Sequence, residues 1–251
     1  MHLLALSVLI QLACAVHCVR TGRNGLWLMV ILFFSVLGCL AYFFVEIVPH
    51  LGARRELRMA KAATVKKIDP DREVRAAREA LDTADTAGNR IALGDAFAGQ
   101  QKWGEAILHY REALAKAPGS DRATELKLAR VTLESGNAAE ARRLLEALPP
   151  SRSDAENDRA ALLLARALAE SGDGEAALAL FADVGERMPG AEAQCRQAAL
   201  LLEQGREAEA VVPLAEAERR GRRVDRFERA RDRDMYDWAE RTLAELRSRG
   251  F

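Results

Sequence analysis

Histidine and cysteine, which carry much of enzyme and metal chemistry, are few in this sequence. Their one group, Cys14, His17 and Cys18, is interpreted as packing residues near a membrane interface, because no further metal ligand is in register. The histidines are His2, His17, His50 and His109, and only His109 and Cys195 represent the two residue types beyond residue 50. Neither has a neighbour at a spacing that would form a nucleophile–base pair or a zinc site. No glycine-rich phosphate loop is predicted, because no strand is predicted. We therefore expect no catalytic residue, cofactor or metal, and a protein that is not an enzyme.

Cationic side chains offer a different chemistry, the binding of carboxylates or of anionic lipid. The chain has 37 basic and 37 acidic residues, and this formal net charge of zero argues against a nucleic-acid-binding protein. Only three of these charges, Arg20, Arg23 and Glu46, lie in the first 50 residues. A basic stretch follows directly, with Glu56 as its only acid: Arg54, Arg55, Arg58, Lys61, Lys66 and Lys67. We interpret it as a membrane-topology signal that would also lie near anionic lipid headgroups.

Two apolar runs precede this stretch. Residues 3–19 contain no charge, and residues 26–48 contain only Glu46. As helices they would extend over roughly 25 and 34 Å, against a hydrocarbon core of about 30 Å. The sequence thus predicts a transmembrane hairpin in residues 1–50 and a basic linker in residues 51–68. A signal peptide cleaved after the Ala13-Cys14-Ala15 motif is the alternative, which the missing basic n-region and the second apolar run disfavour.

The distribution of basic residues predicts the orientation of this hairpin. Six basic residues follow it, and two, Arg20 and Arg23, lie in its turn. Because basic residues are retained on the cytoplasmic side, we expect a multi-pass protein of a bacterial-type inner membrane with its C-terminal part in the cytoplasm.

The turn and the second run also resemble a known anchor. The segment from Arg20 to Trp27, followed by the apolar run that ends at residues 41–46, is similar to the N-terminal membrane hairpin of cardiolipin synthases and related phospholipase D-type proteins. Those enzymes carry H-x-K-x-x-x-x-D motifs, and no histidine here is followed by lysine two residues later. The resemblance implies an anchor without the catalytic domain.

The polar remainder is a repeat. Ala106, Ala141, Ala177 and Ala210 recur at spacings of 35, 36 and 33 residues, each near the start of the second helix of a helical pair. Further residues of the first unit follow the same pattern: Leu93, Gly94, Phe97, Tyr110, Ala113 and Pro118. Small side chains suit close helix crossings, and proline ends a helix. Over about residues 87–220 the sequence resembles the tetratricopeptide repeat (TPR) family, which implies an all-α solenoid that binds a protein or peptide.

The predicted solenoid occupies residues 69–251. Its units are about 87–120, 122–155, 158–190 and 191–221, and a capping helix is expected at about 223–247. A further helix is predicted from Pro70 to about Asp82, and a kink is predicted at Pro213. We interpret the arginine-rich stretch from residue 219 to 233 as a solvated cap, with an anionic contact as the alternative.

The TPR resemblance also implies a groove, lined by the first helix of each unit. It places Asp95, Arg130 and Arg166 at one equivalent position, with Lys127 and Arg159 close by. Two stacked arginines would suit carboxylates. Alternatively, Arg130 and Arg166 would each pair with the glutamate four residues further along its own helix, Glu134 or Glu170.

These observations predict a membrane-anchored scaffold or adaptor. Its partners would be a protein or peptide in the solenoid groove and the lipid bilayer around the hairpin. Two alternatives remain open at this point: an accessory of a membrane phospholipid enzyme that acts through the hairpin, and a scaffold for envelope assembly that faces the periplasm.

Overall fold

The computed structural model describes residues 69–116, 119, 121–224, 229–230 and 232–251, together with Gln11, Val16, Met29, Val30 and Phe33. Residues 1–72 and residues 73–251 form two separate compact units. The predicted hairpin (3–19 and 26–48) and the basic linker (51–68) lie largely outside the described residues, as does Pro118. Among the described residues, no helix is both long and apolar enough to span a bilayer.

Ten α-helices have defined bounds, all of them beyond residue 71, and no described residue lies in a strand. The helices are α1 Arg72–Thr83, α2 Ala87–Ala98, α3 Trp103–Lys116, α4 Arg122–Glu134, α5 Ala138–Glu146, α6 Asp154–Glu170, α7 Gly174–Arg187, α8 Glu192–Glu203, α9 Glu207–Gly221 and α10 Arg233–Ser248. The prediction of an all-α, TPR-like solenoid is confirmed.

The helices pack in two series. From α2 to α10 each helix contacts the next. The first helices of successive units also touch, α4 with α6 and α6 with α8, and α8 touches the C-terminal helix α10. These first helices therefore form one continuous face of the solenoid. Side-chain caps begin several helices, as at Asp121, which accepts a hydrogen bond from the backbone N–H of Thr124.

The turn between the two helices of each unit needs one residue with positive φ. Glycine fills this position in three units, at Gly136, Gly172 and Gly205, with φ of 87°, 91° and 73°. The first unit has Gln101 there instead, with φ of 59°. Glycine is favoured at this position because a side chain strains the left-handed conformation.

The core of each unit lies where its two helices cross. The recurring alanines Ala106, Ala141, Ala177 and Ala210 are all fully buried, with 0% exposure. In the first unit Gly94 faces the ring of Tyr110, and a Cβ atom on Gly94 would lie only 2.8 Å from Tyr110 Cε1. The missing side chain of Gly94 thus allows the tyrosine to fill the space between α2 and α3.

The C-terminal end of the solenoid is covered by α10. Tyr236, Leu243 and Leu246 of this helix are buried, and a Cβ atom on Gly221 would lie 2.8 Å from Tyr236 Cδ1. Residues 222–224 form a turn, so the helix does not begin near residue 223; Arg229 and Ala230 are helical, and α10 itself begins at Arg233, after a turn at Asp232. Residues 225–228 and 231 of the predicted capping helix lie outside the described residues.

Two arginines of the arginine-rich stretch have structural roles. The Arg220 guanidinium donates to the carbonyls of Gly185, Met188 and Gly190 at distances of 2.7–2.9 Å. Arg229 donates to the carbonyl of Gly221 at 3.0 Å. Cations are favourable at the carboxyl ends of helices, where carbonyls lack partners. These two side chains are therefore committed to the ends of α7 and α9.

Two other predictions concern the start of α1 and the proline within α9. The first helix begins at Arg72, since Pro70 lies in a turn. Helix α9 continues from Glu207 through Pro213 to Gly221, and the kink expected at this proline stays a prediction.

The contact between Gly94 and Tyr110 can be tested with a matched pair of substitutions. Gly94→Ala is expected to lower the free energy of unfolding by about 1–3 kcal/mol, since the added methyl group collides with a buried ring. Gly88→Ala in the same helix is expected to be neutral or stabilising, because its nearest contact is Thr86 Oγ1 at 3.9 Å. Urea unfolding followed by circular dichroism measures both. Equal stabilities of the two variants would contradict the close crossing of α2 and α3.

Candidate partner-binding cleft

A cleft of about 680 Å³ opens between the first helices of the second and third units, α4 and α6. Four of the five predicted groove residues line it: Lys127, Arg130, Arg159 and Arg166. They converge because Lys127 and Arg130 lie about one turn apart on α4, while Arg159 and Arg166 lie two turns apart on the adjacent α6. Leucine side chains form its apolar part: Leu126, Leu162 and Leu163.

Asp95, the fifth predicted residue, does not line this cleft and instead holds one of its cations. Asp95 Oδ2 accepts a hydrogen bond from Lys127 Nζ at 2.7 Å, and Asp95 Oδ1 accepts one from the Tyr110 hydroxyl at 2.6 Å. Burial, reinforced by the hydrogen bond to Asp95, raises the pKa of Tyr110 above its usual range. Lys127 is thus neutralised by the preceding unit.

Arg166 is also paired, but not as predicted. Its Nη2 lies 2.9 Å from Glu134 Oε1 on α4, so the expected pairs Arg130–Glu134 and Arg166–Glu170 are not formed. The prediction assumed that charged residues four apart pair along a single helix. Because α4 and α6 pack side by side, Glu134 of α4 reaches Arg166 of α6 instead. The sequence prediction of pairing along each helix was therefore wrong.

Both pairs between units have the same spacing. Asp95 precedes Lys127 by 32 residues, and Glu134 precedes Arg166 by 32 residues. A carboxylate on one first helix thus faces a cation on the next first helix, slightly less than one repeat later. A search of the sequence for opposite charges at this separation would have found these pairs, whereas a search within single helices could not.

Arg130 and Arg159 remain exposed, and neither has a hydrogen bond or ion pair with any residue that the structure describes. A further arginine that lines the cleft, Arg122, is paired: its Nη1 lies 3.4 Å from Glu156 Oε2. In total, five cationic side chains and three carboxylates line the cleft, which leaves an excess of two positive charges. This excess corresponds to Arg130 and Arg159.

The residues suited to catalysis lie elsewhere. The His109 ring stacks on Phe97 with 5.6 Å between the ring centroids and 3° between their planes. Cys195 is buried between α8 and α10, where its Sγ lies 3.9 Å from the Met235 carbonyl, and this burial raises its pKa to about 12. Neither side chain lines the cleft. Within the described residues, no group of His, Cys, Asp and Glu side chains could hold a metal ion.

Comparisons with known proteins agree with this architecture. The tetratricopeptide repeat family model matches residues 97–156. The crystal structure of YrrB, described as a TPR protein with an unusual peptide-binding site, is 19% identical with a TM-score of 0.50, and the match covers 63% of this chain and 82% of YrrB. No curated protein matches the sequence.

Two structures of MamA are also similar. The segment of MamA from residue 41 to its end, from Desulfovibrio magneticus RS-1, is 15% identical with a TM-score of 0.55, over 67% of this chain and 94% of that one. The MamA RS-1 ArsTM double mutant is 14% identical with a TM-score of 0.54, over 66% and 92%. The family match and these folds support a TPR repeat protein, and no catalytic family is among them.

The burial of Cys195 predicts its reactivity. In the folded full-length chain, iodoacetamide at mildly alkaline pH should leave Cys195 unmodified, because the raised pKa keeps the thiol protonated and the packing excludes the reagent. Unfolding in concentrated guanidinium should make it fully reactive. Peptide mapping by mass spectrometry distinguishes Cys195 from the N-terminal cysteines. Rapid modification under native conditions would contradict the packing of α8 against α10.

Proposed function

We propose that this protein is a membrane-anchored scaffold that binds an acidic segment of a protein partner in the cleft between α4 and α6. The observation that carries the proposal is the exposure of Arg130 and Arg159 on one cleft without a carboxylate partner among the described residues. Arginine binds carboxylates through two parallel hydrogen bonds, and such charge-assisted bonds are stronger than neutral ones. An acidic segment would supply the missing negative charge.

The remaining walls of the cleft suit a polypeptide. Its volume of about 680 Å³ falls within the roughly 300–1,000 Å³ typical of ligand sites. Leu126, Leu162 and Leu163 offer apolar contact between the charged groups. The similarity to YrrB, whose structure is described as having a peptide-binding site, supports a peptide as the ligand.

The paired cations have a different role in this proposal. Lys127 and Arg166 are engaged by Asp95 and Glu134, so they contribute little net attraction for a ligand. Their ion pairs instead connect α2 with α4 and α4 with α6, which fixes the helices that carry Arg130 and Arg159. A rigid arrangement of this kind lowers the entropic cost of binding.

The membrane anchor is the second part of the proposal. All five described residues of the N-terminal region are helical, and the large apolar side chains of Val16, Met29 and Phe33 are 50%, 60% and 76% exposed. Apolar side chains exposed on helices suit contact with lipid. The long apolar runs and the basic residues from Arg54 to Lys67 support a hairpin in an inner membrane, with the solenoid in the cytoplasm.

Reversal of the two unpaired arginines tests the cleft. Arg130→Glu combined with Arg159→Glu should weaken the binding of a fluorescent oligoglutamate peptide by about tenfold or more, since two charge-assisted contacts are lost. The melting temperature should remain nearly unchanged, because neither side chain has a partner among the described residues. Fluorescence anisotropy measures the affinity, and circular dichroism measures the melt.

A second double variant separates a specific effect from a general effect of charge. Arg143→Glu combined with Arg152→Glu changes the net charge equally at exposed arginines that do not line the cleft. This control should retain most of the affinity. Equal losses in both double variants, or no loss in either, would contradict a binding role for the cleft.

The membrane topology of the chain tests the proposed anchor. Alkaline phosphatase fused after Phe251 should be inactive in cells, because the enzyme acquires activity only on the outer side of the membrane. Replacement of Arg54, Arg55 and Arg58 by glutamate should shift part of the population to the opposite orientation, since the bias depends on basic residues near the membrane. High phosphatase activity of the unaltered fusion would overturn the cytoplasmic placement.

A further inference from the structure

A smaller hollow of about 160 Å³ lies beside the cleft. The two share three lining residues, Leu162, Met188 and Glu192, so they are neighbours on the solenoid. The far side of the hollow is formed by Asp232 and Met235, at the start of the capping helix α10. The repeat units and the capping helix α10 therefore both contribute residues to this hollow.

The hollow is lined by both polar and apolar groups, and three of its apolar side chains suit contact with one hydrophobic side chain of a ligand. Leu162 is buried, and Met188 and Met235 are half-buried. A volume of about 160 Å³ is close to the roughly 150 Å³ of an engineered cavity that accepts benzene, so a leucine or phenylalanine side chain would fit. Methionine adapts its shape to apolar ligands because its side chain is flexible and polarizable.

The segment that carries Met188 is held in place. Arg220 donates hydrogen bonds to the carbonyl of Met188 at 2.9 Å and to that of Gly190 at 2.8 Å. Since α7 ends at Arg187, these bonds fix the backbone that forms one wall of the hollow. The wall therefore exists before a ligand arrives.

Charge differs between the two ends of the combined surface. Unpaired cations, Arg130 and Arg159, lie on the larger cleft, whereas no Lys or Arg of the described residues lines the hollow. Glu192 is paired with Arg196 at 2.8 Å, so it does not need a cation from a ligand. A ligand carboxylate would be attracted at the arginine end and would find no cationic partner in the hollow, where the loss of its hydration would be costly.

We infer that the partner segment has two parts: an acidic run that binds Arg130 and Arg159, and an adjacent apolar side chain that occupies the hollow between Leu162, Met188 and Met235. This inference rests on the proposed function, because the acidic run uses the same cleft. It adds the capping helix to the binding surface and specifies the sequence pattern that the surface selects.

Synthetic peptides test this pattern on the full-length chain. Each fluorescent peptide has a short glutamate run, a glycine spacer of varied length and one variable residue, in both chain orders. At the best spacing, leucine at the variable position should bind about tenfold more tightly than alanine, because its side chain leaves water. Glutamate at that position should bind more weakly than alanine, although a surface that attracted carboxylates throughout would bind it more tightly.

Two variants test whether the leucine side chain of the peptide binds in the hollow. Met235→Gln should remove most of the advantage of leucine over alanine, whereas Val212→Gln, at a side chain that is 73% exposed and lines neither the cleft nor the hollow, should retain it. Protection of Cys195 from iodoacetamide verifies that α10 remains packed in the Met235 variant.

The outcomes separate this inference from the proposed function. If the alanine peptides do not bind, the proposed function fails, and this inference fails with it. If they bind and leucine gives no advantage at any spacing, only the apolar subsite is overturned. It is also overturned if the advantage of leucine survives Met235→Gln, or if lysine at the variable position binds more tightly than leucine.

Discussion

The close crossing of two helices within each repeat is the constraint on which the rest of the structure depends. Ala106, Ala141, Ala177 and Ala210 are completely buried at these crossings, and Gly94 leaves space for the ring of Tyr110. Small residues permit the short distance between helices, and repetition of that distance stacks the units in a regular solenoid. The stacking then brings α4 and α6 side by side, so that the two helices can share one cleft.

Charge within that cleft follows from the same regularity. Because successive first helices lie next to each other, a carboxylate faces a cation 32 residues later, at Asp95–Lys127 and at Glu134–Arg166. Partly exposed ion pairs of this kind contribute little to stability, so their main consequence is orientation. Arg130 and Arg159 do not take part in these ion pairs, so their positive charge remains available to an acidic partner in the cleft.

The all-α repeat architecture could be predicted from the sequence because helical periodicity and recurring small residues reflect local packing. Glycines at 136, 172 and 205 indicate the turns of three units, while Gln101 gives no such signal in the first. The pairing of Arg166 could not be predicted from its own helix, since its partner Glu134 belongs to the preceding unit. Likewise, the hollow depends on where Met235 of the capping helix lies, which no repeat pattern specifies.

Nitrogen-15 NMR of arginine side chains during titration with an oligoglutamate peptide tests the central claim most directly, because it observes the proposed contacts themselves. A selective change of the Arg130 and Arg159 Nε–H resonances is the predicted result, with Arg143 and Arg152 unaffected at the same peptide concentration. Equal changes at all four arginines, or changes only at Arg143 and Arg152, would contradict a specific acidic ligand in the cleft between α4 and α6.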